Sequence, residues 1–361
     1  MKTLSALLAL PLALACSAQA QTVSTDPVGF IPVTAKGNSD TYVSFPLHRG
    51  AAFQGVLTAV NGSVLTVGSA SFTTDQFKGT HFVLIASGTK EGMWYAITAN
   101  SATALTVDLA GDTLGSAVAV GTEIQIIPFW TLNTIFPGGA GVKPSPTLLP
   151  QTSVLLPDHT RAGTNLAPVA SFFYYSGSQY EGPGWRQFGT APTQKFDDVM
   201  LSQVLYPDSY LIVRHETAGD TTINIPGAVQ MTSLANIIGT IASGKAQDNA
   251  LAFNVAVPTS LAASGLYPGA FTGSSTIDQP VDELLVFDND VAQKNKKPSA
   301  IFYYYLGGGA GAAGWRLKGN SVTIQDDTLV FQPASGYIIR KAATANAQSS
   351  TWTIRPSYVP Q

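Results

Sequence analysis

The sequence contains a single cysteine, Cys16, among its 361 residues. The chain after Cys16 can form no disulfide and can carry out no thiol chemistry. Its stability must therefore come from a hydrophobic core, which a chain of this length can build without cross-links. Histidine is also scarce, and its four copies lie far apart: His48, His81, His159 and His215. Metal-ligating residues usually recur at short spacings, so we predict no metal site and no cofactor.

Charge is the second shortage, because Asp, Glu, Lys and Arg together make up only 11% of the chain. An average soluble domain has about 25% charged residues. The formal net charge is −3, with no long run of either sign. Nucleic acids and anionic membranes are bound by clustered Lys and Arg, so we expect neither as a partner.

Long apolar runs are missing too, which predicts no transmembrane segment in the mature chain. The N-terminal "MKTLSALLALPLALACSAQAQ" has a short apolar run followed by a small-x-small motif that ends at Ala20. This pattern predicts a signal peptide over residues 1–20, cleaved between Ala20 and Gln21. Lipidation at Cys16 is the alternative. We expect an exported protein in the periplasm, on the outer membrane surface or outside the cell.

What the sequence does contain is an internal repeat. "SFFYYSGSQYEGPGWRQFG", from Ser171, reappears as "AIFYYYLGGGAGAAGWRLKG", from Ala300. The match continues downstream with "PDSYLIVR" over "PASGYIIR". Upstream, Asp40 corresponds to Asp248 at a much wider offset, so the first copy carries an extra block.

We therefore predict a signal peptide and three folded regions. Repeat A comprises residues 21–53 and 130–226, the inserted domain residues 54–129, and repeat B residues 227–361. Insertions of this kind are tolerated at loop tips with small polar residues, and "LHRGAAFQG" has that character.

All three regions predict β-structure. The inserted domain has six short segments rich in β-branched and aromatic residues, from "GVLTAV" to "TEIQIIP", with a hairpin turn at Asn61-Gly62. Closing them into a small barrel would remove exposed edges. Each repeat has the size of a β-sandwich. The predicted fold is all-β: two tandem β-sandwich-like repeats, the first interrupted by a small β-barrel insert, with one or two helical turns in "TLNTIF".

Catalytic signatures are missing: the chain has no nucleophile elbow, phosphate loop, H-E-x-x-H or dinucleotide fingerprint. Adjacent carboxylates occur at equivalent places in the two repeats: Asp197-Asp198 and Asp326-Asp327. Neighbours on a strand point to opposite faces, so neither pair can place both acids on one substrate. We expect one Asp of each pair to cap a turn or to pair with Arg214 or Arg340, and no catalytic residue is predicted.

The repeated hairpins hold the candidates for ligand binding: Trp185, Arg186, Tyr180, Glu181, Trp315 and Arg316. Exposed aromatic residues beside polar groups mark interaction sites. Alternation along "FFYY", however, requires at least half of those rings to be buried. Both copies keep Gly-Trp-Arg while "SGSQYEGP" becomes "LGGGAGAA". This favours a structural role for the tryptophans and places any specificity in the loop, at Tyr180 and Glu181.

A resemblance to a known family follows from several segments taken together. "TDPVGFIPVT", "SDTYVSFPL", "WTLNTIFPGG", "FYY" followed by "GWR", and "GYIIRK" resemble an uncharacterised family of exported, often paralogous proteins of verrucomicrobial bacteria. The resemblance covers most of the mature chain and implies export and a β-rich fold.

The function predicted from these observations is that of a non-catalytic structural or adhesive protein of the cell envelope or extracellular space. Its expected partner is another copy of itself or an extracellular glycan. The alternative is a carbohydrate-binding protein that uses the Trp-Arg hairpins, and an extracellular hydrolase is the least favoured hypothesis.

Overall fold

The computed structural model describes residues 26–189, 191–196, 204–309 and 311–359. They form an all-β fold, as predicted, with only short helical segments. In these ranges no helix is both long and apolar enough to cross a membrane. Some predictions concern residues outside the described ranges: the signal peptide, its cleavage between Ala20 and Gln21, lipidation of Cys16, and the pair Asp197-Asp198.

The first part of the chain forms three strands that later segments join. They are β1 (Val28–Ala35), β2 (Asp40–Val43) and β3 (Leu47–His48).

The next part of the chain forms one seven-stranded sheet. Its strands are β4 (Phe53–Val56), β5 (Ala59–Asn61), β6 (Val64–Thr66), β7 (His81–Ile85), β8 (Trp94–Asn100), β9 (Ala104–Val107) and β10 (Glu123–Pro128), with a 3-10 turn at Gly115–Ala117. The spatial order is β4-β10-β7-β8-β9-β6-β5. The sheet curls around its own core, which includes Leu65, Val83, Ile97 and Ile124.

The two outer strands of this curled sheet are halves of one bent segment. The Leu57 N–H donates to the Thr122 carbonyl at 2.9 Å, next to the β4–β10 ladder, and the Thr58 N–H donates to the Thr66 carbonyl at 2.8 Å, next to the β5–β6 ladder. Leu57 itself is fully buried. The segment "GVLTAV", predicted as one strand, thus bends where Leu57 enters the core and pairs at both ends of the sheet.

The predicted hairpin turn lies one residue later than expected. Asn61 is the last residue of β5 and pairs with Val64, so the turn residues are Gly62 and Ser63. Gly62 has a φ of 57°. A two-residue turn that needs positive φ at its first central position requires glycine only there, which explains the shift.

The chain then returns to the first three strands. This part contains β11 (Trp130–Thr131), α1 (Leu132–Ile135), a 3-10 turn at Pro137–Gly139, β12 (Thr152–Leu156), β13 (Ala170–Tyr175), β14 (Gly184–Gln187), β15 (Ala191–Phe196), β16 (Val204–Leu205), β17 (Leu211–His215) and β18 (Thr221–Val229). The helical turn predicted in "TLNTIF" is confirmed as α1, capped by Thr131.

The last part contains β19 (Leu234–Thr240), β20 (Gln247–Ala252), α2 (Leu266–Gly269), β21 (Glu283–Val286), β22 (Ala300–Tyr305), β23 (Gly314–Leu317), β24 (Asn320–Ile324), β25 (Gly336–Lys341) and β26 (Gln348–Ile354).

Two six-stranded antiparallel sheets have the same strand order. One runs β15-β14-β13-β12-β17-β2 and the other β24-β23-β22-β21-β25-β20. A second layer covers each of them: β1, β18 and β3 on the first, β19 and β26 on the second. Between the layers lie two separate cores, with Val213 and Ile223 in the first and Ile339 and Trp352 in the second.

The outer faces of the two six-stranded sheets pack against each other. Their contact is a small aromatic and aliphatic cluster centred on Tyr42, Tyr210, Leu285 and Phe287. The rings of Tyr42 and Phe287 stack with centroids 4.1 Å apart and planes 10° apart. The face-to-face packing brings repeat A and repeat B into one contact, which we call the inter-repeat interface.

Candidate functional site

The tryptophans of the repeated hairpins are buried. Trp185 is 1% exposed and Trp315 is 2% exposed. Each ring meets the tyrosine opposite it edge to face, Tyr174 at 5.7 Å and Tyr304 at 5.6 Å between centroids. Because the rings lie in the two sandwich cores, neither offers a free face on which a sugar could stack.

The arginines of the hairpins organise the loops that precede them. Arg186 is fully buried, and its guanidinium donates to the carbonyl oxygens of Tyr180 at 2.6 Å and Gly182 at 2.7 Å. In repeat B, Arg316 donates in the same way to the Ala312 carbonyl. Each guanidinium takes the place of water by donating to loop carbonyls that have no partner in a neighbouring strand. These arginines therefore hold the loops in their conformation.

Tyr180 and Glu181 are the hairpin candidates that remain at the surface. Tyr180 is 43% exposed. Both residues have positive φ, 52° and 66°, at the tip of the loop. Glu181 is also exposed, and its negative charge raises the pKa of Arg186, although burial of that guanidinium lowers the pKa more.

In repeat B one aspartate of the carboxylate pair caps a turn, which is one of the two roles expected for it. Asp326 accepts the backbone N–H of Trp315 at 2.7 Å and so caps the hairpin turn. The Arg340 side chain, however, pairs with Asp248, which stands directly opposite it on β20. In each repeat the arginine thus pairs with an aspartate near the start of the neighbouring strand, which is Asp40 in β2 and Asp248 in β20.

The inter-repeat interface contains a bidentate ion pair from repeat A. Arg214 donates to the two carboxylate oxygens of Asp40 at 2.7 and 2.8 Å. The Asp40 side chain is 2% exposed, whereas that of Arg214 is 23% exposed. The hydrogen bonds from Arg214 to Asp40 raise the pKa of Arg214 above its ordinary value. The pair is therefore largely removed from water.

Repeat B supplies a third residue to this pair. Asn295 donates its backbone N–H to Asp40 at 2.7 Å and accepts from Arg214 through its side-chain oxygen at 2.6 Å. Asn295 has a φ of 50°, a left-handed conformation that asparagine tolerates better than most residues. The ion pair of one repeat is thereby completed by the other.

The same arrangement occurs in reverse. Arg340 donates to both oxygens of Asp248 at 2.7 and 3.0 Å. Asn165, from repeat A, donates its N–H to Asp248 at 2.7 Å and accepts from Arg340 at 3.1 Å. Its φ is 53°. Each repeat gives and receives the same set of contacts, as two subunits do across a two-fold axis.

Backbone hydrogen bonds repeat this reciprocity along β2 and β20, the edge strands at which the two six-stranded sheets meet. The donor and acceptor pairs are Asp40 N–H to Gln293 O, Asp248 N–H to Gly163 O, Ser44 N–H to Ala334 O and Ala252 N–H to Asp208 O, all between 2.9 and 3.0 Å. Unpaired strand edges invite pairing with other chains. Here each repeat's loops cover the edge strand of the other.

A cavity of about 400 Å³ lies within the inter-repeat interface, between the two ion pairs. Its lining includes three aromatic residues, Tyr42, Tyr210 and Phe287, together with both Asp-Arg pairs. Burial raises the pKa of Tyr42 and of Tyr210 well above the ordinary value, so both phenols stay protonated. Both arginines in the lining of the cavity, Arg214 and Arg340, are already paired, with Asp40 and Asp248 respectively.

The two repeats are not identical within the inter-repeat interface. Tyr210 in "PDSYLIVR" corresponds to Gly336 in "PASGYIIR". A Cβ on Gly336 would lie 2.5 Å from the Cγ of Tyr210. The tyrosine of one repeat therefore occupies the space that a side chain on the equivalent residue of the other would need.

We expect Gly336→Ala to lower the free energy of unfolding by about 1–3 kcal/mol, the usual cost of overpacking. Tyr210→Ala combined with Gly336→Ala should cost less than the sum of the two single changes, since the small side chains no longer collide. Urea denaturation gives the free energy of unfolding of the two single variants and of the double variant. Gly50→Ala is the control, because no atom lies within 4 Å of the Cβ it would add. Equal effects of Gly336→Ala and Gly50→Ala would contradict the predicted collision.

The inter-repeat interface is the part of the described chain in which charged, aromatic and backbone contacts from distant segments converge. No protein-family model, no curated protein and no solved structure matches this chain. Its function has therefore to be inferred from its own contacts.

Proposed function

We propose that the protein is an exported, non-catalytic structural or adhesive protein of the cell envelope or extracellular space, and that it belongs to the exported family it resembles. One observation carries the proposal: the two repeats are joined through reciprocal Asp-Arg-Asn contacts. Asp40 with Arg214 and Asp248 with Arg340 are each completed by an asparagine from the other repeat. Such contacts suit a load-bearing unit, because the two sheets cannot slide past each other without breaking the hydrogen bonds that Asn295 and Asn165 make to the ion pairs of the opposite repeat.

Self-association is the form of assembly we propose, through the outer strand β24. It lies at the free end of its six-stranded sheet. Val322 is 88% exposed and Ile324 is 45% exposed on this strand. A sheet edge with apolar side chains is a template for pairing with another chain. The other end strand of this sheet, β20, is covered by the opposite repeat, so β24 is the end of this sheet that is open to a second copy.

Val322→Lys is expected to prevent assembly of the purified protein, because a lysine on an edge strand opposes pairing with a further strand. Analytical ultracentrifugation over a wide concentration range and electron microscopy measure this. Val120→Lys is the matched control, since Val120 is 70% exposed but lies outside the strands. A wild-type protein that stays monomeric at high concentration, or equal effects of both variants, would contradict assembly through β24.

Location in the cell tests the other half of the proposal. Fractionation of the source cells should place the protein in the envelope or in the medium, and comparison with Cys16→Ala should show whether lipid attachment holds it there. Recovery in the cytoplasm would refute the proposed export.

The hairpins do not favour the alternative of carbohydrate binding at Trp185 and Trp315. Both rings are enclosed in the sandwich cores. Sugar binding at these hairpins would depend on Tyr180 and Glu181 alone.

A further inference from the structure

A second pocket forms where the curled sheet meets the two repeats. Its volume is about 270 Å³. The walls come from β8 and the loop after β9 in the curled sheet, from the segment between β16 and β17 in repeat A, and from β19 in repeat B. Small-molecule pockets usually measure roughly 300–1,000 Å³. This pocket lies just below that range, so it suits one small ring better than a large cofactor.

One wall of the pocket is an ordered aromatic platform. Tyr206 is 50% exposed and stacks on Trp94, with ring centroids 5.7 Å apart and planes 27° apart. Trp94 in turn meets Phe82 and Phe129 edge to face, each at 5.8 Å. The indole is held from behind by these rings, so Tyr206 has a fixed support while half of its surface faces solvent.

Three carboxylates also line the pocket: Asp108, Asp112 and Asp208. Asp112 accepts hydrogen bonds from Lys90 at 2.5 Å and from the Tyr95 hydroxyl at 2.7 Å. Burial alone would raise the pKa of Asp112, but these hydrogen bonds and one from the Thr113 N–H outweigh it and hold the pKa below its ordinary value. The Lys90 ammonium neutralises its charge.

The other two carboxylates are engaged more weakly. Asp108 accepts the Ala110 N–H of its own loop at 2.9 Å. Burial raises the pKa of Asp208, while the nearby charge of His159, its own backbone N–H and the Trp94 indole lower it in part. A carboxyl group has about four lone-pair positions, so Asp108 and Asp208 both retain capacity to accept hydrogen bonds.

Taken together, these walls combine an aromatic face with hydrogen-bond acceptors. A pyranose ring has the matching parts: an apolar C–H face that packs on an aromatic ring, and hydroxyl groups that donate to carboxylates. An organic cation is the other ligand with affinity for both groups. The Lys90 ammonium, paired with Asp112, would repel an organic cation in the same pocket, which favours the neutral sugar.

We propose that this pocket binds a single pyranose residue of a neutral glycan, with its ring on Tyr206 and its hydroxyls donating to Asp108 and Asp208. The site lies away from the repeated hairpins, and it shares Asp208, whose carbonyl accepts the Ala252 N–H, with the inter-repeat interface. It goes beyond the proposed structural role, which depends on the contacts between the repeats and would stand without it.

The test begins with the full mature chain on an array of neutral glycans, followed by calorimetric titration of each glycan retained. Tyr206→Ala should weaken binding by roughly 3- to 10-fold, the usual range for loss of one aromatic contact. Tyr206→Phe should bind as the wild type does. Tyr180→Ala is the matched control, because Tyr180 is a similarly exposed tyrosine, 43% against 50%, in the hairpin loop.

Tryptophan emission gives a second readout that does not depend on the folding of Tyr206→Ala. Binding of the glycan should change the emission of the wild type, and Trp94→Phe should abolish that change. The proposal is overturned if no neutral glycan binds at millimolar concentration, if Tyr180→Ala weakens binding as much as Tyr206→Ala does, or if choline displaces the glycan at lower concentration than a free hexose.

Discussion

Arg214→Ala is expected to lower the free energy of unfolding by about 3 kcal/mol, because it leaves Asp40 as a buried charge without its counter-ion. The Asp40 side chain is 2% exposed and would keep only the N–H of Asn295 among the contacts described above. We take the low end of the range for buried pairs because the Arg214 side chain is 23% exposed. Urea unfolding followed by fluorescence gives the value.

Arg214→Met combined with Asp40→Leu should recover part of the loss, since removing both charges removes the desolvation cost as well as the attraction. The control is Lys78→Ala. Lys78 and Asp75 form a 3.7 Å pair whose side chains are 58% and 47% exposed. Exposed pairs contribute about 0–1 kcal/mol. If Arg214→Ala cost no more than Lys78→Ala, the Asp-Arg-Asn contacts would contribute little to stability, and the proposed load-bearing role would lose its basis.

Trp185→Ala is expected to destabilise the protein by about 3–5 kcal/mol, the usual loss when a large buried aromatic side chain is removed from a core. Trp185 is 1% exposed and contacts Phe136 at 5.7 Å between ring centroids. Trp315→Ala should have a similar effect, because Trp315 occupies the equivalent place in the second core. Thermal and chemical unfolding measure both.

Tyr180→Ala separates a structural from a binding role for the same hairpin. Tyr180 is 43% exposed, so its removal should change stability by less than about 0.5 kcal/mol. An unchanged melting temperature for Trp185→Ala, together with a loss of glycan binding, would instead assign that tryptophan to a ligand.

The sequence predicted the parts of the fold that depend on local pattern. Strand alternation and turn residues were enough for the all-β class, and the helical turn predicted in "TLNTIF" is present at Leu132–Ile135. The bend at Leu57 was not predictable, because it depends on which side chain enters the core of the curled sheet. The turn at Gly62 was displaced by one residue because a single glycine satisfies it.

The sequence contains residues that the two repeats share in the inter-repeat interface, but their spacing alone does not reveal that they are in contact. The two repeats keep "N-x-x-P" at equivalent places, Asn165 to Pro168 and Asn295 to Pro298, and keep Asp40 with Asp248. These residues pair across the two repeats and not within one segment, so their roles emerge only once the sheets are packed. The pocket beneath Tyr206 is still less visible in the sequence, since three distant segments form it.

Tyr210 and Gly336 distinguish the two repeats from the subunits of a symmetric dimer. In a symmetric dimer of identical subunits a residue near the axis meets its own copy, so one side chain must suit both sides. Two tyrosines would collide here, because even a Cβ on Gly336 would lie 2.5 Å from the Cγ of Tyr210. The unequal pair is possible because both repeats belong to one chain, in which each position carries its own residue. Each repeat therefore fits the other better than it would fit a second copy of itself.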